Sequence, residues 1–71
     1  EAFVIHGKSM SLLVPQVSRS GDEVIIRGDL VAEQPILLAD LRVLRQKLED
    51  QWRRPVTLEL TTRLRMRPAS H

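Results

Sequence analysis

The chain has no cysteine and no tyrosine, and its 71 residues include one phenylalanine, one tryptophan and three glycines. Without cysteine there is no disulfide framework, no thiolate metal site and no thiol nucleophile, which fits a reducing compartment. The glycines, Gly7, Gly21 and Gly28, are too scattered to form a loop that cradles phosphate. Two aromatic rings cannot supply the row of stacking platforms that single-stranded nucleic acid needs. No apolar run reaches the 18 residues of a membrane-spanning helix. The start, Glu1-Ala2-Phe3-Val4-Ile5-His6, lacks the basic head and long apolar core of a signal peptide. It also lacks an initiator Met, so the chain reads either as a piece of a longer protein or as a processed one.

Charge is present but nearly balanced, with 11 Lys and Arg against 9 Asp and Glu and a formal net charge of +2. The length predicts one small domain over residues 1–71, at the short end of what folds alone. Such a domain buries a modest core and often gains stability from a partner chain or from the rest of a longer protein.

The strongest pattern runs over residues 56–67. Val56, Leu58, Leu60, Thr62, Leu64 and Met66 alternate with Thr57, Glu59, Thr61, Arg63, Arg65 and Arg67. Side chains change face at every strand residue, so this is a half-buried strand with one apolar and one polar face. Ahead of it, Leu37, Leu41, Leu44, Leu48 and Trp52 step by four, three, four and four, which marks one face of a helix. Ile36, Ala39 and Val43 widen that stripe. Pro35 suits the first helical position, and Pro55 ends the helix. Asp40, Arg42, Arg45, Lys47, Glu49 and Asp50 are assigned to the solvent face. Glu49 with Arg53 and Asp50 with Arg54 have the spacing of favourable pairs.

Earlier segments read as strands. Residues 10–17 and 23–31 are apolar and β-branched, and the stretch Ser18-Arg19-Ser20-Gly21-Asp22 between them reads as a hairpin turn. Pro15 places the first of these at a sheet edge or at a bulge. Gly28-Asp29 marks a bulge or loop onset, with a backbone contact to a ligand as the other reading. Residues 1–9 are weakly structured or supply an extra strand, and residues 68–71 form a tail. The expected fold is a small α+β two-layer β-β-α-β sandwich, with one helix on a three- to four-stranded sheet. The strands flanking the helix become parallel neighbours.

Enzymatic constellations are thin. The two histidines, His6 and His71, stand near opposite ends, and no nucleophile elbow surrounds the serines. His6, Asp22, Asp29 and Glu33 match no metal-ligand spacing. The chain is therefore read as non-catalytic, with no cofactor and no small-molecule substrate. Arg53, Arg54, Arg63, Arg65 and Arg67 form the one candidate site, an anion-binding edge for lipid headgroups or nucleic acid, with nucleic acid disfavoured. A solvated sheet face is the plain alternative.

Residues 23–67 carry a family likeness, from Glu23-Val24-Ile25-Ile26-Arg27-Gly28 to Arg53-Arg54-Pro55-Val56-Thr57-Leu58-Glu59-Leu60. This stretch resembles the soluble carboxyl-terminal segment of the DUF389 family of hydrophobic membrane proteins. The resemblance implies a water-facing domain of a multi-pass membrane protein of unknown function, placed on the cytoplasmic side. It transfers no catalytic residue. The expected role is interaction or oligomerisation, with a second copy or the protein's own transmembrane region as partner. The core of metal-sensing domains in cation transporters is comparable, which leaves a regulatory metal-binding role as a further alternative.

Overall fold

The computed structural model describes residues 1–66. Its elements are β1 (Ala2–Ile5), β2 (Lys8–Ser20), β3 (Glu23–Ala32), α1 (Leu38–Trp52) and β4 (Val56–Leu64). The strands lie side by side in the order β1-β2-β3-β4. The first three are antiparallel, and β4 runs parallel to β3. One helix on a four-stranded mixed sheet is the expected α+β architecture, and residues 2–5 supply the optional first strand.

Both hairpins use two-residue turns that need positive φ. His6 (φ 52°) and Gly7 (φ 75°) join β1 to β2, as a type I′ turn requires. Gly21 (φ 62°) opens the turn from β2 to β3. That hairpin turns within two residues rather than five, because Ser18, Arg19 and Ser20 pair with Ile25, Val24 and Glu23.

The bulge foreseen at Pro15 lies in β2 between Leu13 and Gln16, opposite Gly28. Val14 takes φ 47°, which a β-branched residue rarely adopts, and it is 80% exposed. The extra residue reverses the alternation, so Leu12 before the bulge and Val17 after it share the helix side of the sheet. Gly28 itself stays in the regular β3 ladder. A Cβ there would lie 2.9 Å from the Leu13 carbonyl oxygen, so the partner strand's distortion is what calls for glycine. Pro15 also lies beyond the reach of β1, which pairs only with residues 8–11, so edge and bulge coincide.

The core lies between α1 and the sheet. Ile5, Met10, Leu12, Val24, Ile26, Leu30, Leu44, Leu48 and Val56 are buried, and Leu41, Trp52, Leu58 and Leu60 pack partly against them. Two assignments in the helix change. α1 begins at Leu38 with Leu37 as its N-cap, so Pro35 precedes the helix instead of opening it, and Leu37 is 55% exposed. Asp40, assigned to solvent, is 1% exposed. Its carboxylate accepts the Leu37 backbone N–H at 2.8 Å, and that bond fixes where the helix starts. Leu37 has no side-chain acceptor to return the bond, so only this half of a capping box is made.

At the other end, Arg53 takes the left-handed conformation and donates its N–H to the Glu49 carbonyl at 2.7 Å. Neither expected i,i+4 ion pair forms. The Glu49 carboxylate accepts the Val56 N–H at 3.0 Å, Asp50 accepts from Gln46 at 2.9 Å, and Arg54 reaches Asp22 at 3.5 Å.

Candidate interaction surface along β4

β4 forms one edge of the sheet, and its backbone polarity follows from two bonds. Val24 N–H donates to the Pro55 carbonyl, and Arg65 N–H donates to the Ala32 carbonyl. Residues 55 and 65 thus face β3. Backbone groups alternate sides along a strand, so the odd residues between them also face β3 and the even residues face outward. Val56 fits this alternation, since its outward N–H is the one that Glu49 takes. The outward N–H and C=O groups of Leu58, Leu60, Thr62 and Leu64 have no partner among the described residues. The free stretch of β2 is blunted by Pro15 and a bulge, whereas β4 carries neither device.

On the helix side, a groove of about 360 Å³ separates α1 from this edge. Leu41, Leu58 and Leu60 give it an apolar floor, and Leu38, Arg42 and Arg45 form its outer wall. Leu64 and Met66 continue the same face of β4 beyond the helix and are 50% and 77% exposed. The even residues of β4 are therefore core at one end and bare at the other.

The opposite face of β3 and β4 is open and polar. In parallel register, Thr57 donates to Glu23, Arg27 to Glu59 and Thr61 to Asp29. Arg63 lies 3.9 Å from Asp29, with its side chain 70% exposed. Arg65 borders a depression of about 300 Å³ with Gly7, Ser9, Ser11, Glu33 and Gln34. It makes no ion pair among the described residues.

The arginines singled out in the sequence do not meet at one place. Arg53 and Arg54 stand before the first residue of β4, while Arg63 and Arg65 stand at its far end. Nine residues of extended chain, about 30 Å, separate Arg54 from Arg63. Arg67 lies outside the described residues, as do residues 68–71 with His71. The groove's own cations, Arg42 and Arg45, were assigned to an ordinary solvent face. Only the tertiary placement of β4 beside them distinguishes them from other helix arginines.

A second cluster joins the first hairpin to the helix start. Asp40 Oδ2 accepts from Lys8 Nζ at 2.8 Å, and Oδ1 accepts from His6 Nδ1 at 2.7 Å. Lys8 also reaches the Pro35 carbonyl at 3.0 Å. The Lys8 bond, the Leu37 N–H and His6 together hold the Asp40 carboxyl well below the usual carboxylate range, against the opposing effect of burial. An ionised carboxylate only accepts, which assigns the bonded proton to Nδ1 of His6. An imidazole oriented by a buried carboxylate is one part of a proton-transfer site. Here the same carboxylate caps the helix and holds Lys8, and no nucleophile is hydrogen-bonded to His6 among the described residues. Nor is there a group of three or more His, Asp or Glu that could hold a metal ion among those residues.

No helix among the described residues is long and apolar enough to cross a membrane. Comparison of the chain with protein-family models, with curated proteins and with solved structures finds no match.

Proposed function

We propose that this chain is a non-catalytic interaction domain that binds a partner protein along the free edge of β4. The observation that carries this reading is the run of outward backbone donors and acceptors beside an apolar groove. A strand added there satisfies both at once, with backbone bonds giving affinity and the groove selecting side chains. The likeness of residues 23–67 to DUF389 tails supports a further step, that the domain is the water-facing part of a multi-pass membrane protein. Its partner is then another copy or the membrane part itself.

A photo-reactive residue in place of Thr62, in cells carrying the full-length protein, tests this. Thr62 lies on the free edge, and Gln51 on the exposed side of the helix serves as control. Protein adducts from position 62 and none from position 51 are expected. Equal or absent labelling at the two positions overturns the reading.

Arg65 beside the Ser9 and Ser11 depression favours a second reading. Arg63 and Arg65 form a small anion-contacting end of the open face, suited to headgroup phosphate. Arg53 and Arg54, about 30 Å away, do not share in it.

A further inference from the structure

We infer that the occupant of the β4 edge is β4 of a second copy, paired antiparallel about a two-fold axis through Thr61. This deepens the interaction reading above and rests on it. Three independent features of β4 converge on that register.

The first is backbone parity. In an antiparallel pair, residues with outward backbone groups must face one another, and inward-facing residues then form the intervening non-hydrogen-bonded pairs. A centre at Thr61 meets this condition. It sets Leu58 against Leu64 and Leu60 against Thr62 of the second copy, each as a hydrogen-bonded pair.

The second is charge. On the open face the same register sets Glu59 directly opposite Arg63 of the second copy, and Arg63 opposite its Glu59. These are non-hydrogen-bonded pairs, where side chains approach most closely, and opposite charges there stabilise the ladder. Arg63 is available for this, being 70% exposed and held by Asp29 only at 3.9 Å. A centre at Leu60 sets Glu59 against Thr61 and Arg63 against Thr57, and the charge match is lost. A centre at Thr62 sets Glu59 against Arg65 but leaves Arg63 against Thr61 and takes Val56 out of register with Met66.

The third is the unburied apolar surface. Leu64 and Met66 are exposed, and an apolar-floored groove runs beside β4. The Thr61 centre lays Leu64 beside Leu58 of the second copy and Met66 beside its Val56, and both of those residues line the groove. Each copy's exposed end thus fills the other's groove, and the aliphatic stems of Arg42 and Arg45 extend the cover. The axis is perpendicular to the sheet, so both helices lie on one side of a continuous eight-stranded sheet.

The absence of cysteine makes the test clean. Thr61→Cys places two sulfurs across the axis, whereas Thr57→Cys places them more than a disulfide's reach apart. Under mild oxidation, Thr61→Cys is expected to give at least ~10-fold more disulfide dimer than Thr57→Cys. Because Thr61 also donates to Asp29, a second measurement leaves that bond in place. Sedimentation of the unmodified chain is expected to give a dimer, and Leu64→Glu, at an exposed position, is expected to give a folded monomer. A strictly monomeric unmodified chain at high concentration overturns the inference, as does crosslinking by Thr62→Cys in preference to Thr61→Cys. If the chain is monomeric while position 62 labels another protein in cells, self-pairing fails and the interaction reading stands. If neither occurs, both fail.

Discussion

The Lys8 ammonium sits 2.8 Å from the buried Asp40 carboxylate and thereby joins the first hairpin to the start of α1. A carboxyl held below its ordinary value stabilises the fold above its unfolded-state pKa of about 3.9. That contribution is lost as pH falls from about 4 through the lower folded value. Asp40→Asn is expected to lower the urea midpoint at pH 7 and to flatten the decline between about pH 4 and pH 2. Asp50→Asn, on the exposed face, leaves both unchanged. A decline as steep in Asp40→Asn as in the unmodified chain would assign acid sensitivity elsewhere.

Gly28 faces the distorted stretch of β2 at a distance that a methyl group cannot share. Gly28→Ala pushes Cβ against the Leu13 carbonyl oxygen and the Pro15 Cα, both backbone atoms that yield only if the bulge moves. The expected loss is about 1–3 kcal/mol, read from denaturant midpoints. A neutral Gly28→Ala would mean that the bulge relocates freely.

Leu37 and Leu44 belong to one periodic stripe in the sequence, yet only Leu44 is in the core. Leu44→Ala is expected to cost about 2–5 kcal/mol. Leu37→Ala, half exposed at the N-cap, should stay within about 0.5 kcal/mol. Equal effects at the two positions would contradict the later helix start.

The anion reading of the open face divides the arginines into two groups. Arg63→Gln with Arg65→Gln is expected to abolish retention on vesicles containing acidic lipid at low salt. Arg53→Gln with Arg54→Gln should leave retention unchanged. Binding that survives the first pair, or resists moderate salt, would exclude phosphate contact by this end of β4.

Strand and helix identities were legible because alternation and helical period are local properties. The β4 alternation, the Pro55 break and the parallel return beside β3 could all be read from spacing. The helix start could not, because Pro35 satisfies the local rule while the Asp40 carboxylate, aided by Lys8 from another hairpin, sets the boundary at Leu37. Asp40 misled for the same reason: a polar residue near a helix start is ordinarily solvated, and only the β1–β2 turn brings partners to cover it. The arginines looked like one cluster because the sequence does not display the length of an extended strand. The groove was illegible because its outer wall, with Arg42 and Arg45, and its floor, with Leu58 and Leu60, are joined only by tertiary packing.

The bulge in β2 has a consequence in time as well as in shape. At Met10 and Ser11 the strand is flanked on both sides and carries Met10 in the core. From Leu13 to Ser20 every residue is exposed, and β3 is the sole neighbour. Lifting this outer segment away uncovers little apolar surface, so its amides exchange with solvent through a small local opening. Those of Leu30 and Leu44, buried at the centre, wait for the whole domain to unfold. A single strand thus holds two lifetimes, and the change falls where Val14 turns out of the ladder.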